Sequence, residues 1–440
     1  MPFSQQTVGI YTLGCKVNQY ESEAIAEALE ARGFTVCSPT LPCDAYVINT
    51  RTVTAESDRK ARQFIRRAIH QNPRAFVLVT GCLAQTQPHS VASIPSVDCV
   101  CGNAEKLAVA RETERLFAEG KKPERASILV SPPDAKGFEP MCISRFDRTR
   151  AYVKIEDGCE NHCTYCIIPA ARGKVRSKAP EEVLDEVRRL TAGGCREIVL
   201  TGIETASYGK DLANGYGLAD LLEEVDRIPG IGRIRLGSLD PSLMKQSFVD
   251  RIARLPSLAH HFHVSMQSGS DRILALMKRK YNADQALASI ERLREAMPGV
   301  KLTTDIIVGF PGETEEDFRA SCDFARHAEF LMIHVFPYSK RRGTVAAEMK
   351  DQIPESVKHE RVRILSEISR EIRAEILNKK IAEGKTVDVL FESSRDGYAY
   401  GHTDDFIEVK VKTAKKLHGL FRSVALISHD GDVCEGKIIE

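Results

Sequence analysis

The chain contains no tryptophan, and aromatic residues make up only 6% of it. It also lacks a charge of one sign: 62 basic residues face 61 acidic ones, for a net charge of +1. A protein-wide basic field is therefore excluded, and any contact with nucleic acid has to come from local patches. No stretch approaches the roughly 20 consecutive apolar residues that a membrane-spanning helix needs. The opening residues, MPFSQQTVGIYTLG, show no basic start, apolar run and small-residue cleavage site. These gaps predict a cytoplasmic protein with no membrane partner.

Cysteine is abundant instead, with 13 in 440 residues. In the cytosol thiols stay reduced, so clustered cysteines point to metal or catalysis rather than disulfides. Cys37, Cys99, Cys101, Cys195, Cys322 and Cys434 sit in or beside apolar runs. They read as small buried thiols.

The length suggests two or three domains. TVGIYTL, FTVCS, DAYVINT and AFVLVTG alternate with helical patterns, which predicts a doubly wound parallel-sheet domain over 5–118. Residues 119–144 are rich in Gly, Pro and Lys and read as a linker. A second alternation, from AYVKIED to MIHVFPY, gives about six β/α units. That is too few for a closed eight-stranded barrel and predicts a partial (β/α)6 barrel over 145–376. A long charged helix pattern spans 355–384. Short strands with turn residues then predict a small all-β domain over 377–440. The fold class is α/β.

The sharpest motif is Cys159-x3-Cys163-x2-Cys166, three thiols on one loop after a strand. Thiolates are preferred ligands of iron–sulfur clusters. Three ligands leave one iron of a cubane open, and an open iron could chelate the amino and carboxylate groups of S-adenosylmethionine. One electron passed to the sulfonium would then release a deoxyadenosyl radical. Zinc is the competing reading, but zinc sites usually pair four ligands, and no second pair follows. The spacing, with Tyr165 before the third Cys, resembles the radical S-adenosylmethionine superfamily. That likeness implies cofactor contacts at strand ends: Gly202 near the methionine end, Gly309 with Pro311 and Gly312 in the turn past adenine, and Ser238, Gln267 and Asp305.

The N-terminal unit has its own pattern. TLGC, VINTR and VTGC end three strands at Cys15, Arg51 and Cys82. Strand C-ends of a doubly wound sheet lie near one another. TLGCKVNQYES, VINTRTVT, TGCLAQ, MQSGSDRILALMKRKY, TDIIVGFPGETEEDF and HVFPYSKRRGTVAA, together with the cysteine loop, resemble the methylthiotransferases over nearly the whole chain. Within that family, the first and last runs are most similar to the bacterial branch that modifies threonylcarbamoyladenosine beside the tRNA anticodon. The other branches act on isopentenyladenosine or on a ribosomal-protein aspartate.

The resemblance implies S-adenosylmethionine and two 4Fe–4S clusters, the second held by three N-terminal cysteines. Cys15 and Cys82 match two of these ligands, and Arg51 stands at the third. A guanidinium stays protonated and offers no lone pair. Cys43 lies at the far end of an extended strand, roughly 25 Å away at about 3.3 Å per residue. Three readings stay open: a two-thiolate cluster with an exogenous ligand, a lost cluster in an RNA-binding protein with an impaired donor site, or a variant residue in an ordinary enzyme. The implied partners are the tRNA anticodon arm, an electron donor such as flavodoxin or ferredoxin, and a sulfur source. The last domain looks like a TRAM domain, an RNA-binding module. Basic clusters at Arg172, Lys174, Arg176 and Lys178, at Lys278–Lys280 and at Lys340–Arg342 are candidate phosphate contacts. Tyr398 and Tyr400 could stack unpaired bases.

Overall fold

The computed structural model describes residues 3, 5–146, 148–213 and 215–439. The N-terminal unit is one parallel sheet, ordered β2-β1-β3-β4-β5-β6. Its strands are β1 (Thr7–Thr12), β2 (Thr35–Cys37), β3 (Ala45–Thr50), β4 (Phe76–Gly81), β5 (Cys99–Cys101) and β6 (Ser127–Leu129). Every residue of β3 and β4 is buried, as central parallel strands covered on both faces require. β5 and β6 have three residues each, too few to show a period. β6 lies inside the stretch read as linker, which is therefore corrected: it completes the sheet beside β5. Beyond β6 the chain runs largely at the surface and is pinned at two points. Met141 and Ile143 are buried, and the Tyr20 hydroxyl donates to the Met141 carbonyl at 2.7 Å.

The central unit runs through β7 (Arg150–Lys154), the short pair β8 (Glu156–Asp157) and β9 (Arg176–Ser177), β10 (Glu197–Thr201), β11 (Arg233–Leu236), β12 (Ser238–Leu239), β13 (His261–Gln267), β14 (Lys301–Val308) and β15 (Met332–Pro337). β7-β10-β11 and β12-β13-β14-β15 are parallel. β11 and β12 are two halves of one strand, interrupted at Gly237. There an added Cβ would lie 2.8 Å from the Thr205 hydroxyl. The result is the open six-stranded barrel expected from the alternation.

The helix Glu355–Ala382 leads into a closed five-stranded barrel: β16 (Thr386–Arg395), β17 (Tyr398–His402), β18 (Glu408–Lys412), β19 (Phe421–Asp430) and β20 (Val433–Ile438). The boundary expected at 376/377 thus falls inside the helix.

Two buried charge clusters join these units. Between the N-terminal sheet and the barrel, Glu21 receives Arg172 at 2.7 Å, Lys154 at 2.9 Å and Lys106 at 2.9 Å. Asp157 receives Lys154 at 2.6 Å and Arg172 at 3.1 Å. Arg172 is fully buried. Its expected role at the RNA surface is corrected: it is an interdomain tie, because its guanidinium reaches Asn18 and Glu21 of the other unit. At the opposite end, where the barrel strands begin, Glu197 binds Arg150, Arg233 and Arg235 at 3.1, 3.1 and 2.8 Å. Arg235 also donates to the Thr403 and Asp404 carbonyls, and Phe406 stacks on His261 at 4.5 Å. The C-terminal domain therefore closes that end of the barrel.

Removing one partner of a buried ion cluster leaves uncompensated charge and costs about 3–5 kcal/mol. Glu21→Gln leaves Arg172, Lys154, Lys106 and the more distant Arg176 facing the single carboxylate of Asp157. Arg172→Met leaves two lysines and Arg176 facing two carboxylates, a smaller imbalance. Urea unfolding should show the larger loss for Glu21→Gln; equal losses would mean that charge balance does not govern this joint.

Glu197 supplies a pH signature. Arg235, Arg150 and Arg233 overcome its burial and hold its carboxyl down at about 2. Its folded value is depressed, so its contribution is complete above the unfolded value near 4.5 and fades as pH falls towards 2. The shift corresponds to about 3 kcal/mol. The stability difference between parent and Glu197→Gln should shrink across that window; a constant difference would contradict the assignment.

Candidate functional site

The cysteine loop follows β8 directly. Gly158 adopts φ +92°, and a Cβ there would meet the Lys174 carbonyl oxygen at 1.9 Å, so only glycine fits the turn. The Cys159 amide donates to the Gly173 carbonyl at 2.9 Å, and the Cys166 amide to the Cys163 carbonyl at 3.0 Å. Thr164 is clamped between the Met277 and Leu276 carbonyls, at 3.1 and 2.8 Å. Arg279 approaches the Cys163 sulfur at 3.4 Å while anchored to Asp240 at 2.8 Å and stacked over Tyr281. It is buried, so its expected place in an RNA-facing basic run is corrected: it braces the cysteine loop.

Burial pushes the Cys159 and Cys166 thiols up to about 12 each, and neighbouring cysteines on the loop push in the same direction. Three soft sulfur donors on one short loop, two of them thiols that need a strong cation to ionise, are a donor set suited to iron. The residues at this end fit an iron–sulfur cluster.

The N-terminal constellation is built by register. Thr12 pairs with Asn49, and Thr50 with Gly81. Cys15, Arg51 and Cys82 thus follow the C-ends of adjacent strands β1, β3 and β4. Gly81 adopts φ +98°, where a Cβ would strike the Thr50 oxygen at 2.2 Å. Cys82 then opens the helix Cys82–Thr86 and is buried, whereas Cys15 caps the helix Lys16–Glu30 and is exposed. Two thiols and one guanidinium do not fit a cluster held by three thiolates. Cys43 offers no substitute: it precedes β3, at the other end of the strand, and its sulfur lies 3.0 Å from that of Cys37. Cys37 is only half-buried, unlike Cys99, Cys101, Cys195, Cys322 and Cys434, which are buried as expected.

One cavity of about 220 Å³ touches both constellations. Arg51 contributes to its wall from the N-terminal sheet; Tyr165, Cys166, Gln267, Asp305 and Phe336 contribute from the barrel. Gln267 adopts φ +71° where the pairing of β13 with β14 slips. A non-glycine residue in that conformation is characteristic of functional sites. Gly202 and Gly309 border other groups. A Cβ on Gly202 would meet the Glu156 carboxylate at 2.5 Å, and one on Gly309 the Lys358 stem at 2.4 Å. Ser238 is exposed on β12 and does not line the cavity. Phe336 and Arg279 escaped sequence reasoning as site residues, since nothing local marks a lone aromatic or one arginine in a basic run.

Residues 153–325 match the radical SAM superfamily, and residues 7–102 match a family described as uncharacterized protein family UPF0004. The chain is 39% identical to a Bacillus subtilis protein named threonylcarbamoyladenosine tRNA methylthiotransferase MtaB, over 98% of this chain and 96% of that one. A Thermotoga maritima protein of the same name is 38% identical, over 98% and 99%. The chain belongs to the radical SAM tRNA methylthiotransferase family. Another relative, tRNA-2-methylthio-N(6)-dimethylallyladenosine synthase of Aquifex aeolicus, is 34% identical over 98% of each chain. Among solved structures, the radical S-adenosylmethionine methyltransferase TsrM of Kitasatospora setae superposes with a TM-score of 0.57. It covers 78% of this chain and 77% of its own at 18% identity, a likeness of fold alone.

A tRNA methylthiotransferase needs an RNA-facing surface, and the expected basic residues divide. Arg341 is buried and ties the barrel to Asp58 and Thr52 at 2.8 and 2.5 Å. Arg176 is largely buried and donates to the Pro133 carbonyl at 2.7 Å. Tyr398 and Tyr400 stand on the outer face of β17, opposite buried Ala399. Lys410 lies over the Tyr398 ring at 5.6 Å, and Arg395 over the Tyr400 ring at 4.1 Å. No helix among the described residues is long and apolar enough to cross a membrane.

Proposed function

We propose that this enzyme adds a methylthio group at C2 of N6-threonylcarbamoyladenosine beside the tRNA anticodon. The carrying observation is full-length likeness to relatives named for that reaction, at 39% and 38% identity. The dimethylallyladenosine relatives stand at 34–36%, below these two, although other relatives named MtaB overlap them at 34–37%. A single cavity between Cys166 and Arg51 supports the same reading, because it gives one base access to both constellations.

Cys159, Cys163 and Cys166 would hold the radical cluster. With S-adenosylmethionine bound, that group supplies one-electron chemistry, which a C2–H bond without useful acidity requires. Around it, Arg279 and Thr164 fix the loop, and Tyr165, Gln267 and Asp305 line the space for cofactor and base. Cys15 and Cys82 are two of the three family positions for the sulfur-donor cluster. Tyr398 and Tyr400, with Arg395 and Lys410 against their rings, form an outer face suited to single-stranded RNA. A flavodoxin- or ferredoxin-type reductant, a sulfur source and a cytoplasmic location complete the reading.

Arg51 favours a second reading, in which the donor site is impaired while S-adenosylmethionine cleavage persists. Two variants separate the parts. Cys163→Ala should leave deoxyadenosine formation at background under anaerobic reducing conditions; parent-level formation would refute the radical-cluster assignment. Arg51→Cys should raise bound iron by one cluster and raise methylthio-nucleoside yield, read by mass spectrometry of tRNA from a host without its own methylthiotransferases. Unchanged iron and yield would show that Arg51 is not the limiting residue.

A further inference from the structure

Beneath the cavity the barrel interior carries a layer of ionisable side chains. Asp305 and His334 are register partners on β14 and β15. The His263 Nε2 lies 3.4 Å from the Asp305 carboxylate, and the two imidazoles are 6.0 Å apart. One polar atom from each of the three residues falls within 4.8 Å of the others. Thr303 fixes the first ring, its hydroxyl 3.0 Å from His263 Nδ1.

His334 is different. It is exposed, its ring contacts are with His263 and Phe336, and it makes no hydrogen bond to any described residue. Phe336, two residues further along the same face of β15, lines the cavity, as does Asp305. The layer is therefore continuous with the cavity as its floor. The floor thus offers imidazole nitrogens as hydrogen-bond partners, and its one carboxylate is engaged with His263.

Such a floor discriminates between ligands. An alkyl group pressed onto it would strip water from the imidazoles and return no hydrogen bond. A hydroxyl would take a hydrogen bond there, and a carboxylate a charge-assisted one. We propose that His263, Asp305 and His334 receive the N6 substituent of the substrate nucleoside and select one bearing a carboxylate and a hydroxyl over an alkyl one. This rests on the reading of the substrate as threonylcarbamoyladenosine, whose threonyl part carries both groups. His334 is the free member and makes the new contact, whereas Asp305 and Thr303 hold His263 in position.

The test is equilibrium binding of anticodon stem-loop RNAs to the full-length, cluster-reconstituted protein, read by fluorescence anisotropy. Three RNAs are compared, carrying threonylcarbamoyladenosine, its methyl ester, or dimethylallyladenosine. The parent should bind the free acid about tenfold more tightly than the ester. His334→Phe and His334→Gln should both lose that preference while keeping the parent's affinity for the ester, which also reports that they fold. If the parent shows no preference for the acid over the dimethylallyl RNA, the substrate reading itself fails. If the parent shows it and both variants retain it, the substrate reading stands and the recognition layer is refuted. Loss of a bound metal equivalent in the variants with an unchanged preference would make the cluster a cation site and equally refute the proposal.

Discussion

The docking of the N-terminal sheet onto the barrel depends on Glu21. Its carboxylate is fully buried and receives three cations from three separate segments: Lys106, Lys154 and Arg172. With Asp157 included, and Arg176 beside it at 3.8 Å, four positive groups share two negative ones. Such a cluster is a weak source of net stability, because desolvation of these charges offsets most of their attraction. It is a strong source of orientation, since a shift of either unit leaves a buried charge unpaired. Orientation is what this enzyme requires. The strand ends carrying Cys15, Arg51 and Cys82 belong to one unit and the loop of Cys159, Cys163 and Cys166 to the other. Only a fixed joint brings Arg51 of the first and Cys166 of the second into the wall of one cavity.

The features legible in the sequence were those written in a local pattern. Central strands β3 and β4 are unbroken apolar runs, so period and length identified them. The cysteine loop is a spacing motif, independent of tertiary context. Burial of a charged side chain has no local signature. Arg172 sits in AARGKVRS, where basic density suggests a solvated face, yet its partners lie some 150 residues away at Asn18 and Glu21. Arg279 and Arg341 were misread for the same reason, one turned to Cys163 and the other to Asp58. β6 was hidden because composition speaks to the Gly, Pro and Lys around it, whereas its three residues are held by pairing with β5. The floor of the cavity was equally invisible: His263, Asp305 and His334 come from three strands and become neighbours only through register.

The surroundings of Arg51 bear on whether its site is decayed. A ligand position under no constraint would be expected to lose the packing that served it. Here the frame is intact on both sides. Asn49 donates to the Asn18 carbonyl and to Ser22, and the Thr50 hydroxyl to the Thr80 carbonyl at 2.6 Å. The Thr52 hydroxyl donates to Asp58 at 2.7 Å. Gly14 still permits a close approach: a Cβ there would stand 3.2 Å from the Arg51 Cβ. Gly81 still carries the left-handed turn that presents Cys82. The backbone therefore holds position 51 at the C-end of β3, between the strand ends that lead to Cys15 and Cys82. A single unusual side chain in a fully bonded frame is a local chemical feature rather than a collapsed site.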